Sequence, residues 1–289
     1  MKSEKTSTIE GIKTYTLYET PNNGSEDAPL VLLCHALMAN HHMYDSTVKA
    51  LHSAGYRTLR YDHIGHNNSP APPAPSADFT AREDLVTSVD FDLLTRHMRS
   101  LVQIMTGQSS LHAVIGCSMG GVLALRYAQL HPKEVSHIIS IGAPGIKAIE
   151  SAKPLWSERI KILESDVANG TDELCRKTVE RWLPGDEERS VRARAMAYEQ
   201  TRSCSLRGYA VCADAIRDYD YEEGLGAIEA KTMVMNGSRD TACGPRENNE
   251  GVAKKIPRGV FVWLEGAGHL PPLHLAEQFE GSMLRFLRT

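Results

Sequence analysis

Residues 112–128 read HAVIGCSMGGVLALRYA, and they decide the fold. An apolar run, Ala113 to Ile115, stops at Gly116-Cys117-Ser118-Met119-Gly120-Gly121, and helical spacing begins at once. The pattern predicts a strand over Leu111–Ile115 and a helix from Met119, joined by a very short turn. A residue held there, exposed at the carboxyl end of a sheet, takes a strained backbone conformation. Its neighbours two positions away crowd against it. Glycine at 116 and 120 therefore reads as the removal of Cβ atoms that would clash, in a turn that presents the Ser118 hydroxyl. The same turn places the Met119 N–H at a helix N-terminus, where partial positive charge suits an oxyanion. The bland alternative is a glycine-rich turn that happens to hold a serine. Its setting between a buried strand and a helix weighs against that.

Outward from this turn, strands and helices alternate. Strands are predicted at Ile9–Tyr18, Leu30–Cys34, Arg57–Tyr61 and Val135–Ile141, with helices at Met43–Ala54 and Phe91–Met105. Leu30–Cys34 is apolar throughout, as a strand buried on both faces should be. NNSPAPPAPSAD, residues 67–78, reads as a proline-rich loop. The alternation predicts an α/β fold: a mostly parallel central sheet with helices on both faces.

The alternation breaks after Gly145. From 146 to 225 only helical segments are found, near Ser157–Val167, Asp172–Trp182, Glu187–Ser203 and Tyr209–Arg217. So long a stretch is no simple connection in a compact domain. It is read as an inserted helical lid, with 1–145 and 226–289 forming the core. The core pattern resumes with strands Thr232–Met235 and Val260–Leu264, a helix near Glu247–Lys255 and a last helix from about Leu275 to Leu287.

A serine hydroxyl is a poor nucleophile without a base, and the base needs an acid to orient it. Of twelve histidines, His269 in LEGAGHLPP stands just past the last predicted strand. Asp240 in VMNGSRDTACGP follows the strand before it, at the sheet end where ligands bind. Glu265, in the same loop as His269, is the less suitable acid. A second oxyanion donor is expected from HALMAN after Leu30–Cys34, with the Leu37 amide the best placed. His35 and Ala36 shape that turn, and His35 is more readily a buried turn histidine than a ligand. His63 and His66 read as loop braces. His41, His42 and His274 read as surface or packing residues, and Cys117 as packing.

Composition narrows the function classes. The chain has 289 residues, 42% hydrophobic and 24% charged, with a net charge of -4. That is the profile of an ordinary globular protein and gives no reason to expect nucleic acid or an anionic membrane as partner. MKSEKTSTIE has no apolar core, so no secretory signal is expected. The six cysteines are scattered without metal-binding spacing, which predicts a reduced, cytoplasmic protein with no structural metal.

Taken together, LLCHALMANHHMYDSTVKAL, GYRTLRYDHIGH, IGCSMGGVLALRYA, NGSRDTACGP and GAGHLPPLHLAEQF resemble the α/β-hydrolase superfamily over nearly the whole chain. RWL at Arg181–Leu183 and GYAVCADAIRDYD at Gly208–Asp220 resemble 3-oxoadipate enol-lactonases. The resemblance implies the α/β-hydrolase fold, Ser118 as nucleophile with Asp240 and His269, and the Leu37 and Met119 amides as the oxyanion hole. It implies hydrolysis of an enol-lactone to a keto acid, with no cofactor. Ile64 stands where those enzymes usually have arginine, Asn67 where they have glycine, and HALMAN replaces their NSLGT. These departures border the cleft and bear on the substrate more than on the reaction. A carboxylate-bearing lactone would then need its charge met from elsewhere. Arg181 is the first candidate, with Trp182 closing the apolar side and His35, Ile64 and Tyr209 as further pocket residues.

Other readings stay open: an esterase or lactonase for another, specialised metabolite; a carbon–carbon bond hydrolase using the same three residues; and, from a different class, a non-catalytic binder of a small ligand. The expected partner is a small lactone or ester, and a homo-oligomer is left open.

Overall fold

The computed structural model describes residues 2–9, 11–21, 25, 27–71 and 89–289. Strands β1 (Lys2–Ile9), β2 (Ile12–Glu19), β3 (Leu30–Cys34), β4 (Arg57–Tyr61), β5 (Leu111–Cys117), β6 (Val135–Ile141), β7 (Lys231–Gly237) and β8 (Gly259–Leu264) form one sheet. Their order is β1-β2-β4-β3-β5-β6-β7-β8. β1 and β2 are antiparallel, and β3 to β8 run parallel. Every residue of β3 and β4 is buried, because helices cover both faces of a parallel sheet.

The first predicted strand needs correction. Ile9–Tyr18 is not one strand but parts of two, paired as a hairpin with Ile9 opposite Ile12. β1 is exposed along its first five residues, so it carries no apolar run that would have marked it as a separate strand. Of the proline-rich stretch 67–78, residues 72–78 lie outside the described residues.

Helices α1 (Asp45–Ser53), α2 (Phe91–Thr106) and α3 (Met119–Leu130) alternate with β3 to β6. α1 begins after a short 3-10 turn at His41–Tyr44, a tighter start than the single helix expected from Met43. α2 begins where Asp90 accepts the Leu93 N–H and ends at left-handed Gly107, capping chemistry visible in the sequence. Between β6 and β7 lie α4 (Lys153–Asn169), α5 (Glu173–Trp182), α6 (Glu188–Thr201) and α7 (Leu206–Arg217). The chain finishes with α8 (Arg246–Lys255), the short α9 (Pro271–His274) and α10 (Ala276–Leu287). Among the described residues no helix is long and apolar enough to cross a membrane.

The strand order fixes where a site can form. β3 has β4 on one side and β5 on the other. The step from β3 to β4 and the step from β4 back past β3 to β5 therefore run in opposite directions, and right-handed crossovers send α1 and α2 to opposite faces. A crevice opens at the carboxyl ends of β3 and β5. The register seats Cys34 opposite Gly116, so the loop after β3 and the turn at Ser118 are brought side by side.

Candidate active site

Ser118 sits at that crevice in a conformation few residues adopt, with φ 55° and ψ -117°. Such strain costs on the order of 1–3 kcal/mol and persists only where the surroundings impose it. They do so here by close packing. A Cβ on Gly116 would lie 1.8 Å from the Gly120 carbonyl oxygen, and one on Gly120 would lie 2.2 Å from the Cys34 carbonyl oxygen. The Ser118 N–H is anchored to the Ile141 carbonyl at 2.7 Å. Serine at a helix start usually caps the helix with its hydroxyl. Ser118 makes no such bond, which leaves the hydroxyl available for chemistry.

His269 and Asp240 come from the loops after β8 and β7. His269 Nδ1 is 2.8 Å from Asp240 Oδ2, with both side chains almost wholly shut off from solvent. The carboxylate accepts from this nitrogen, which assigns the proton to Nδ1 and leaves Nε2 basic. Asp240 Oδ1 accepts the Ala242 N–H at 2.7 Å. Burial works to raise the Asp240 pKa, but the charge and hydrogen bond of His269, with the Ala242 amide, outweigh it and hold the carboxyl below its ordinary value. Glu265 instead accepts from Ser238 at the surface. The His269 N–H donates to the Trp182 carbonyl at 2.7 Å, and the two rings lie tilted at 32° with their centres 5.7 Å apart. Ser118 and His269 open on one cavity without a direct hydrogen bond between them.

The cavity measures about 60 Å³. Leu37, Ser118 and His269 lie on its core side, and Arg181, Trp182 and Tyr209 on the side supplied by α5 and α7. Met119 is the first residue of α3, so its N–H has no acceptor within the helix. Asp240 reaches the cavity only through His269. His35 and Ile64 are not brought to it. His35 is fully buried, with Nδ1 against the Ala36 carbonyl and Nε2 accepting the His63 N–H. Burial and the neighbouring His63 and His66 keep its pKa far below the usual value. Ile64 is likewise core.

Sequence reasoning missed Arg159, which lines the cavity from α4 and stacks its guanidinium 4.9 Å from the Trp156 ring centre. Arg181 is pushed down to about 10 by burial and then by the charge of Arg159, so it stays cationic at neutral pH. Its Nε is buried without a partner among the described residues. Neither arginine forms an ion pair with a carboxylate among the described residues. His274, expected to be a surface or packing residue, is buried and has a further role. It is a brace for the His269 loop, with Nδ1 accepting the Gly268 N–H at 2.8 Å and Nε2 bonded to Ser190 at 3.0 Å. Neither role had a sequence signal: one is a charged residue on a polar helix, the other a histidine in an apolar helix start. Among the described residues no group of acidic, histidine or cysteine side chains is arranged to hold a metal.

Residues 29–273 match the family model of the alpha/beta hydrolase fold. The chain belongs to the α/β-hydrolase family. It is 29% identical over 266 residues to a proline iminopeptidase, PfmaB, of Pestalotiopsis fici, covering 85% of this chain and 87% of that one. It is 25% identical over 258 residues to 3-oxoadipate enol-lactonase 1 of Acinetobacter baylyi, covering 89% and 88%. The solved enol-lactonase of Burkholderia xenovorans superposes with a TM-score of 0.82 at 22% identity, over 99% of this chain and all of that one.

Proposed function

We propose that this α/β hydrolase is a serine hydrolase that opens an enol-lactone carrying a carboxylate, through an acyl-enzyme. The observation that carries the reading is the Asp240–His269 hydrogen bond on the cavity shared with strained Ser118. In this reading His269 Nε2 takes the Ser118 proton as Oγ attacks the lactone carbonyl. The tetrahedral oxyanion is met by the Leu37 and Met119 amides, each worth roughly 3–4 kcal/mol by analogy with other such donors. Collapse breaks the bond to the ring oxygen. The enolate leaves, takes the proton from His269, and becomes a ketone on tautomerisation. Water then gives a proton to His269, attacks the acyl carbonyl, and releases the keto acid as Ser118 recovers its proton. No residue in this scheme calls for a metal or a redox group.

Arg159 and Arg181 support the acidic substrate. Neither forms an ion pair with a carboxylate among the described residues, and Arg181 carries two penalties, its own burial and the nearby charge of Arg159. A substrate carboxylate between them would remove both penalties. Tyr209 and Trp182 supply apolar surface for the ring. The enol-lactonase relative supports this choice. The iminopeptidase relative keeps a broader second reading, an esterase or amide hydrolase on the same residues. A hydrolysis screen decides between them: muconolactone-derived enol-lactone against neutral esters, larger lactones and an N-terminal proline amide. Preference for the acidic enol-lactone supports the proposal. Preference for neutral esters or the amide moves the chain to the second reading.

A further inference from the structure

The loop after β4 holds a histidine that the mechanism above does not use. His66 is fully buried. Its Nδ1 faces the Ile64 carbonyl at 2.9 Å, so Nδ1 carries the proton and Nε2 is an acceptor. That acceptor takes the Met38 N–H at 3.0 Å. Cys204 Sγ lies 3.3 Å from the same nitrogen. Burial pushes the Cys204 thiol well up, which keeps it a donor. Burial also pushes His66 down to about 4, so the acceptor is intact at neutral pH.

Three segments meet at this ring. One is the turn Ala36–Ala39, closed by the Ala39 N–H to the Ala36 carbonyl at 3.0 Å. Met38 is its third residue, with φ 66°, a left-handed conformation that strains a residue bearing a side chain. That strain turns the Met38 N–H inward to His66. The preceding Leu37 N–H has no acceptor among the described residues. The second segment is the loop of His66 itself. The third is the start of α7, tied to that loop by the Asn67 N–H to the Ser203 carbonyl at 2.9 Å and the Ser205 N–H to the Gly65 carbonyl at 2.8 Å. The contact is so close that a Cβ on Gly65 would come within 2.3 Å of Gly208 Cα. Gly208 precedes Tyr209, which lines the cavity.

We propose that His66 is a positioning residue: by accepting the Met38 N–H it holds the strained turn that leaves the Leu37 N–H aimed at the substrate carbonyl oxygen, and it locks this turn to α7. The proposal rests on the serine-hydrolase reading. Unlike a general packing role, it depends on one acceptor atom at one place. Glutamine can offer an oxygen near the position of Nε2; asparagine is too short, and leucine has none.

The test uses the full chain with whichever ester or lactone it hydrolyses, and phenylboronic acid, which forms a tetrahedral anion on an active serine. His66→Leu and His66→Asn are expected to lose about 10²–10³ in kcat with KM nearly unchanged, and to weaken boronate inhibition in parallel. His66→Gln should recover both to within about tenfold of wild type. If His66→Leu does not fold, the Asn and Gln pair makes the same comparison. Variants that fold and keep kcat and boronate affinity within about threefold of wild type overturn the proposal. So do equal losses in Asn and Gln that follow only a fall in thermal midpoint. A wild type that neither hydrolyses esters nor binds boronate overturns the serine-hydrolase reading itself, and the proposal with it.

Discussion

His269 is held at both ends: Nδ1 bonds Asp240 Oδ2 at 2.8 Å, and its backbone N–H bonds the Trp182 carbonyl at 2.7 Å. The first bond selects the tautomer. The second ties the loop of the proposed base to the end of α5, where Arg181 and Trp182 enter the cavity.

Asp240→Asn should therefore cost several powers of ten in kcat while leaving KM nearly unchanged, because the amide favours the wrong histidine tautomer. Glu265→Gln should be close to neutral, since among the described residues the Glu265 carboxylate bonds Ser238 alone, at the surface. Steady-state kinetics of the two variants check this. A larger loss in Glu265→Gln would reverse the assignment.

Arg181→Met and Arg159→Met should each discriminate between substrates. Losing one of two cationic partners is expected to lower kcat/KM on a carboxylate-bearing lactone by about 2–5 kcal/mol, with little change on a neutral ester of similar size. Equal losses on both would mean that the arginines only support the helices.

Gly116→Ala should destabilise the fold by more than about 4 kcal/mol, because backbone rather than a movable side chain stands 1.8 Å from the new Cβ. Chemical denaturation measures it. A loss near 1 kcal/mol would show that the turn has room to relax.

Acid should unfold the protein through its buried histidines. His63 is pushed down to about 3 and His66 to about 4, in each case first by burial, and His35 lies far below the usual value for the same reason. The unfolded chain binds protons at these residues from pH 6.5 downward and the folded chain does not. Stability is thus full above about pH 6.5 and falls as pH drops toward 4. The slope is about 1.4 kcal/mol per pH unit for each histidine, so about 4 for the three. Denaturation at several pH values gives the slope. A flat profile between 6.5 and 4 would contradict the burial.

What was legible in the sequence had a local cause. β4 and β6 fall on the expected bounds, Arg57–Tyr61 and Val135–Ile141, and β3 on Leu30–Cys34, each a short run bounded by turn residues. The strained turn was legible because two glycines mark it. β1 was not, since its outer residues face solvent and a polar edge strand has no apolar period. Arg159 was hidden in α4, where only Leu163 and Asp166 are buried, so no face of the helix announced itself. His66 was read as a loop brace, but not what it braces: its contact, like that of His274, runs across the chain, Met38 to His66 and Gly268 to His274. Sequence spacing carries no trace of which way a buried histidine points.

The central claim is that Ser118 is the nucleophile. Ser118→Ala adds no bulk and relieves no packing, so its fold should persist. The measurement is turnover of an accepted lactone or ester by this variant, beside its thermal midpoint. The expected result is an unchanged midpoint and activity lower by many powers of ten. Retention of more than about one per cent of wild-type activity would contradict the serine mechanism.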